Sequence, residues 1–475
     1  MLFINTDQQR FDAMSCAGSQ FVSTPNMDRL AADGVRFTMA VTPQPMCVAA
    51  RCAFHTGLSI HSSGCVVQPT DEGMDFHSGS FDQNLVRHGY RAEHHGRWHA
   101  PMELTDCYSN EVTLDFIGQY KRHLKDVLGD PPACTDGQYK SLLSEWPYNP
   151  DPMDACRANL WPEYPDYKDV IHFGEYTLPD EYTYSAVTAD NTIDALRRLA
   201  GEQLSISSAY LAPHHPWYIP RGWSNSVNPD DMRIPDTIHD KREDTPYSGF
   251  FWQIPDVYET NIKLFHARYF QLLQETDYHI GRILDTLDEL GLAEKTLVIF
   301  TADHGEMLGD HGLTQKFLPY QESIRIPMIM RLPGVIPKGR IVDHPVNSVD
   351  IFSTIFDYLG YPCPPQDGLS LRPLIEGKMS DHPPYTFSEF GYDTGLAYTC
   401  FVSNEWKYVW NRVDGGMDIL YDLREDPHEL NNLLGGNPRR LDFISKAKEI
   451  REEMLSWMER IGHPYRAKLA ASDIG

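Results

Sequence analysis

Positive charge is what this 475-residue chain has least of: 41 Lys+Arg stand against 67 Asp+Glu, a formal net charge of −26 with histidine neutral. A nucleic-acid partner needs a basic face that displaces counterions, and an anionic membrane attracts the same kind of face. No nucleic acid and no membrane is therefore the expectation. No apolar run approaches the roughly 18 residues that span a bilayer. Paired cysteines are missing too. The nine Cys are scattered from Cys16 to Cys400 with no CxxC pair, which argues against a disulfide scaffold and a zinc-type cluster. The opening Met1-Leu2-Phe3-Ile4-Asn5-Thr6-Asp7 lacks a basic start, an apolar core and a small-residue cleavage site. A cytoplasmic location is expected as the chain stands, or a periplasmic one if an upstream segment was trimmed. What remains is ordinary globular usage, 41% hydrophobic and 12% aromatic, which excludes disordered and fibrous classes.

Patterning points to an α/β fold. Leu2 to Thr6, Val35 to Ala40, Tyr90 to His94, Leu204 to Leu211, Thr296 to Phe300 and Pro327 to Arg331 read as strands. The last two read as the fully buried parallel kind. Helices are expected over Asn26 to Gly34, Ala49 to Leu58, Gln83 to His88, Ala186 to Leu199 and Glu259 to Leu290. Alternation of this kind predicts a large mixed, mostly parallel central sheet flanked by helices. Such sheets bind ligands at the carboxyl ends of their strands, which places chemistry just after Thr6, Leu211 and Phe300. Past about Gly377 the texture changes to short antiparallel strands and a closing helix, Leu441 to Ile461. The reading is a catalytic domain over 1–376 and a smaller C-terminal α+β subdomain over 377–475. An irregular insertion, about 101–184, carries Trp146, Tyr148, Trp161, Tyr164, Tyr167 and Tyr176, which suit a lid or a sugar-stacking wall and equally a solvated decoration.

Two strand ends carry metal-binding residue types. Thr6-Asp7-Gln8 and Thr301-Ala302-Asp303-His304-Gly305-Glu306 each follow a buried strand. A lone strand-end Asp is more often a helix cap. Two of them, each beside a second ligand type, suit a hard divalent ion such as Ca2+, Mg2+ or Mn2+. Asp7, Gln8, Asp303 and His304 are the candidate ligands. Cys47-Val48-Ala49-Ala50-Arg51 follows the turn-prone Pro43-Gln44-Pro45 and leads into a helix. A helix N-terminus lowers a thiol pKa and attracts anions, and the Arg51 guanidinium one turn on can fork onto an oxyanion. Alone the pentad is a weak motif, and a buried structural Cys near a surface Arg is its plainer reading.

The combination resembles the formylglycine-dependent sulfatases of the alkaline phosphatase superfamily, whose signature is C-x-P-x-R with Ala tolerated at the third place. Further segments match in order: Thr24-Pro25-Asn26-Met27-Asp28-Arg29-Leu30-Ala31, Thr56-Gly57, Gly96-Arg97-Trp98-His99 and Pro213-His214-His215-Pro216. Asp303 to Gly312 resembles the second metal segment, with Lys316 in the place of the site lysine. Leu420-Tyr421-Asp422-Leu423, Asp426-Pro427 and Asn432-Leu433 resemble the C-terminal signature. Ala49 stands where Pro is usual and Arg97 where Lys is usual. Gln8 and His304 look like the bacterial branch that includes phosphonate monoester hydrolases and choline sulfatases.

The resemblance implies an alkaline phosphatase-like fold and an activity. Cys47, oxidised to formylglycine by a maturation enzyme, is hydrated to a diol. One hydroxyl, activated by a divalent ion on Asp7, Gln8, Asp303 and His304, attacks sulfur. Arg51 and Lys316 stabilise the sulfuryl oxygens, and Arg97 orients the hydroxyls. His214 or Lys316 protonates the leaving alcohol, and His99 deprotonates the second hydroxyl. Ca2+ is the expected ion, with Mn2+ or Mg2+ satisfying the same ligands. The partner is a sulfated small molecule or saccharide, touched by Trp217 and Tyr218 beside His214. The sequence leaves the oligomeric state open, a homo-oligomer among the options. Competing readings are a phosphonate monoester or phosphodiester hydrolase with the same nucleophile, and an unconverted chain that binds sulfated ligands without turnover. His55, His61, His94 and His95 are read as structural, and His311 and Asp310 as lying outside the first layer of ligands.

Overall fold

The computed structural model describes residues 1–66, 76–113, 116–128, 173–175, 179–215, 217–249, 256–379, 381–391, 396–413 and 416–474. The aromatic residues expected to build an insertion wall, Trp146, Tyr148, Trp161, Tyr164, Tyr167 and Tyr176, lie outside them, as does Pro216.

In chain order the strands are β1 (Leu2–Asp7), β2 (Val35–Val41), β3 (Arg91–Gly96), β4 (Phe173–Glu175), β5 (Leu204–Pro213), β6 (Trp217–Ile219) and β7 (Val298–Ala302). There follow β8 (Arg325–Arg331), β9 (Arg340–Val342), β10 (Val346–Asn347), β11 (Tyr385–Phe390), β12 (Tyr398–Ser403), β13 (Trp406–Asn411) and β14 (Ile419–Asp422). Eight strands form the central sheet in the order β10-β2-β8-β7-β1-β5-β3, with β9 also on β2. The pairs of β1 with β5 and β7, and of β3 with β5, are parallel. Their carboxyl ends therefore open on one side of the sheet.

The core follows from the pleat of β1. Successive side chains point to opposite faces. Leu2 and Ile4 join Phe265, Leu273 and Ile280 of the helix Asp256–Glu289 on one face. Phe3, between them, joins Phe54, Phe81, Ile351 and Ile355 on the other. Both faces are covered, as a parallel sheet requires.

One strand departs from expectation. β8 is antiparallel to both β2 and β7, not parallel. An apolar run carries no direction. The connection from β7 to β8 holds only short helical turns, Asp310–Gly312 and Gln321–Ile324, without the crossover helix that a parallel return needs.

β11 to β14 form a separate antiparallel sheet. One face packs Phe387, Phe401 and Trp410 against Ala447, Ile450 and Met454 of the helix Arg440–Arg460. The other packs Tyr398, Cys400 and Val409 against Met46, Cys52, Leu318 and Tyr320. The small sheet thus lies on the helix that starts at Cys47 and on the loop after β7.

Candidate active site

Four parallel strand ends and one helix start converge. Asp7 ends β1, Arg97 follows β3, His214 follows β5, and Asp303 and His304 follow β7. Gly96 makes the turn after β3 with φ of 92°, and a Cβ there would come within 2.0 Å of Ala209 O. Cys47 is the first residue of the helix Cys47–Thr56, which begins two residues earlier than periodicity suggests.

Asp7 is tied to arginines on one oxygen only, whereas Asp303 is hydrogen-bonded on both. Asp7 Oδ2 accepts from Arg51 Nη2 at 2.9 Å and pairs with Arg97 Nη1 at 2.8 Å. Asp303 Oδ2 accepts from Arg51 Nε at 3.0 Å. Asp7 Oδ1 lies 3.8 Å from Cys47 Sγ and 3.9 Å from both His304 Nε2 and His214 Nε2. Asp303 Oδ1 takes the backbone N–H of Gln8 and of His304, at 3.0 and 2.9 Å. His304 Nδ1 faces Gly305 O at 2.9 Å. A carbonyl only accepts, so Nδ1 carries the proton and Nε2 offers its lone pair, 3.1 Å from Cys47 Sγ. Ligand atoms of Asp7, Cys47, Asp303 and His304 all lie within 4.8 Å of one another. The free Asp7 oxygen, the one lone pair left on Asp303 Oδ2 and an imidazole with a fixed tautomer fit a hard divalent ion.

Gln8 joins this cluster to Lys316. Its φ of 63° is left-handed, uncommon for a side-chain-bearing residue. Its Oε1 accepts from Lys316 Nζ at 2.8 Å, and its Nε2 donates to Glu306 Oε2. One Oε1 lone pair remains for an ion. Lys316, 5% exposed, also donates to His214 Nε2 at 3.2 Å. His214 Nδ1 gives its proton to His215 O, so Nε2 is an acceptor. Burial, Lys316 and His215 hold His214 well below the usual imidazole pKa. Burial alone would raise the Asp7 carboxyl, but Arg97, His214 and Arg51 outweigh it and hold it well below its ordinary value. Burial and Asp7 push the Cys47 thiol up, and Lys316 and His304 bring it down, for a net lowering.

Three expected roles change. Arg51 does not face an incoming oxyanion: it is 1% exposed, and its third bond runs from Nη1 to Arg97 O at 2.9 Å. It holds the carboxylates from behind. His99 is not poised as a base, because its Nδ1 accepts from Arg97 Nη2 at 2.7 Å, which leaves the proton on Nε2. Burial and Arg97 depress its pKa to about 2. Trp217 is buried in the core, with Nε1 donating to Pro213 O at 2.8 Å, and Tyr218 is buried beside it; neither forms an exposed wall for the substrate.

The remaining histidines are structural in their contacts. His55 and His94 pack with Trp98, and His311 Nδ1 meets Asp240 at 2.7 Å. His61, Glu389 and His463 form a second cluster away from the site. Arg412 Nη1 stands 3.1 Å from His61 Nε2, and His463 Nδ1 accepts from Tyr465 N. A guanidinium and a protonated Nε2 fill the space a cation would need. Sequence reasoning gave Glu306 no role, although it sits in the Asp303 segment; its value is visible only in the bond to Gln8.

The sulfatase family profile matches residues 1–361, and the C-terminal profile of N-sulphoglucosamine sulphohydrolase matches residues 309–456. The chain belongs to the sulfatase family of sulfuric ester hydrolases. Among this sulfatase's relatives is an arylsulfatase of Clostridium perfringens, 27% identical over 94% of this chain and 92% of that protein. The phosphonate monoester hydrolase of Agrobacterium radiobacter shares the fold with a TM-score of 0.77, at 24% identity over 97% of this chain and 95% of that one. BT4656, solved in complex with its substrate D-glucosamine-2-N,6-O-disulfate, shares it with a TM-score of 0.72, at 18% identity over 98% of both chains.

Proposed function

We propose that this sulfatase hydrolyses a sulfate ester of a small molecule or saccharide to an alcohol and inorganic sulfate. It uses formylglycine derived from Cys47 by a separate maturation enzyme, together with one divalent ion, Ca2+ by preference. The observation that carries this reading is the gathering of Asp7, Asp303 and His304 around Cys47 Sγ, with Lys316 held beside it. Asp7, Asp303, His304 and the spare lone pair of Gln8 would hold the ion, which supplies Lewis-acid polarisation of bound oxygens. The converted position 47 supplies a hydroxyl nucleophile.

The chain's own residues do the rest. Arg51 and Arg97 keep Asp7 ionised and fix where its second oxygen points. Their charge offsets that of Asp7 and Asp303, and with Lys316 and the ion it would make the site locally positive within an acidic protein, which suits an anionic ester. Lys316 donates in both of its side-chain bonds and has a third N–H to give. It is the proton donor to the leaving oxygen, with His214 Nε2 as the acceptor that orients it. His99, with Nε2–H, donates a hydrogen bond for as long as Arg97 occupies Nδ1.

Gln8 and His304 favour a phosphonate monoester or phosphodiester as a second substrate class. Peptide mass spectrometry across Cys47, with and without a formylglycine-generating enzyme, tests the nucleophile. A parallel screen of sulfate and phosphonate esters tests the substrate. Converted protein that turns over neither class sinks both readings.

A further inference from the structure

The loop that carries Lys316 is gripped by the opposite end of the chain. Gln315 and Phe317, on either side of Lys316, have left-handed φ of 71° and 88°. Such residues persist where the surroundings over-determine them. Within the catalytic domain, Glu306 Oε1 accepts from Gln315 N at 2.6 Å. From the same part of the chain Met307 N donates to Gln315 O at 2.8 Å and Gln315 Nε2 meets His215 Nδ1 at 3.1 Å; three more holds come from the C-terminal domain. Tyr398 OH donates to Phe317 O, Lys407 Nζ donates to Pro319 O, and Glu429 Oε2 accepts from Gln321 N, each at 2.8 Å. Lys407 and Glu429 are also ion-paired, at 0% and 1% side-chain exposure. A buried pair of this kind is weak as a source of stability. Here each partner also bonds to the backbone of the same loop.

We propose that Tyr398, Lys407 and Glu429 are positioning residues for Lys316, and that the C-terminal sheet clamps the Lys316 loop against Gln8 and His214. The inference rests on Lys316 being the proton donor to the leaving oxygen. An ester with an activated leaving group needs no proton, and one with a poor leaving group does. A displaced Lys316 therefore steepens the dependence of kcat/KM on leaving-group pKa, whereas general loosening lowers all esters alike.

The test uses full-length, Cys47-converted protein and a series of aryl sulfates from 4-nitrophenyl to unactivated phenyl esters. Tyr398→Phe removes one hydroxyl. The double variant Lys407→Met/Glu429→Gln removes both charges and keeps an acceptor for Gln321 N, so either can stand in if the other fails to fold. Each is expected within about twofold of the parent on the 4-nitrophenyl ester and about 10-fold down on the unactivated one. Lys316→Ala, run alongside, separates the two ideas. If its loss is the same for every ester, the proton-donor reading fails and the clamp falls with it. If Lys316→Ala is steep while the clamp variants parallel the parent, or lose activity equally on all esters, the clamp alone is overturned.

Discussion

Exchanging the partners of one buried hydrogen bond probes the site more sharply than deleting a ligand. Glu306 accepts three bonds: Oε1 takes Leu308 N at 3.1 Å and Gln315 N at 2.6 Å, and Oε2 takes Gln8 Nε2. That last bond decides which way the Gln8 amide points, and so which atom meets Lys316. In Glu306→Gln the new amide oxygen can keep both backbone bonds, which turns the new NH2 onto Gln8 Nε2. Either two donors face each other, or Gln8 flips and presents its NH2 to the Lys316 ammonium. A lost hydrogen bond to a charged group is worth about 1.5–3 kcal/mol, so kcat/KM should fall by roughly 10- to 150-fold. Gln8→Glu alone sets two buried carboxylates against each other, one of which must take up a proton, and a comparable loss follows. The double variant Gln8→Glu/Glu306→Gln restores the donor–acceptor order. The amide now at position 306 gives to the carboxylate now at position 8, whose other oxygen accepts from Lys316. It should recover to within about fivefold of the parent, with a coupling of at least about 1.5 kcal/mol across the cycle. The assay is kcat/KM on a sulfate ester for all four proteins, with melting temperatures as a folding control. Additive losses would refute the assignment of Glu306 as the group that orients Gln8.

Three further outcomes are expected. Arg97→Met removes the cation that, after burial, does most to depress His99 to about 2. Its pKa then rises, so an NMR titration of the His99 ring should bring its protonation into the measurable range, and a ring that still fails to titrate above about pH 3 would contradict the assignment. A divalent ion held by Asp7, Asp303 and His304, Ca2+ on the proposed reading, would stabilise the fold by mass action, about 2.7 kcal/mol at 100 times its Kd. Chelation should therefore lower the melting temperature and Ca2+ restore it, and a flat titration counts against the site. The Glu389 carboxyl, which burial alone would raise, is held well below its usual range by His61 and His463, with His463 Nε2 at 2.8 Å. A depressed carboxyl adds stability above its unfolded pKa of about 4.3 and loses it as pH falls toward the folded value. The melting-temperature deficit of Glu389→Gln should thus be largest near neutrality and shrink below about pH 4, and a deficit independent of pH would contradict it.

Much of the architecture was legible in local pattern. The strands at Leu2, Leu204 and Val298 and the long helix Asp256–Glu289 follow from apolar periodicity, and the chemistry after β1, β5 and β7 follows from how parallel sheets bind ligands. The helix start fell two residues early because Cys47 and Val48 carry no capping signal that separates them from Ala49. The direction of β8 was not legible, since an apolar run reads the same both ways.

By itself the sequence determined which groups are available: carboxylates at two strand ends, a cysteine at a helix start, and a lysine and histidines at motif spacing, because residue identity and local periodicity are properties of short segments. Tertiary structure alone decided which of them touch. Lys316 meets Gln8 across 308 positions of chain. Arg51 turns inward to Asp7 and Asp303, Arg97 takes the nitrogen His99 would use as a base, and Trp217 goes to the core. Tyr398 and Lys407, unremarkable as strand residues, reach the loop of Lys316. Those pairings depend on strand order and on how one sheet lies against another, and contacts between distant segments leave no imprint on local composition.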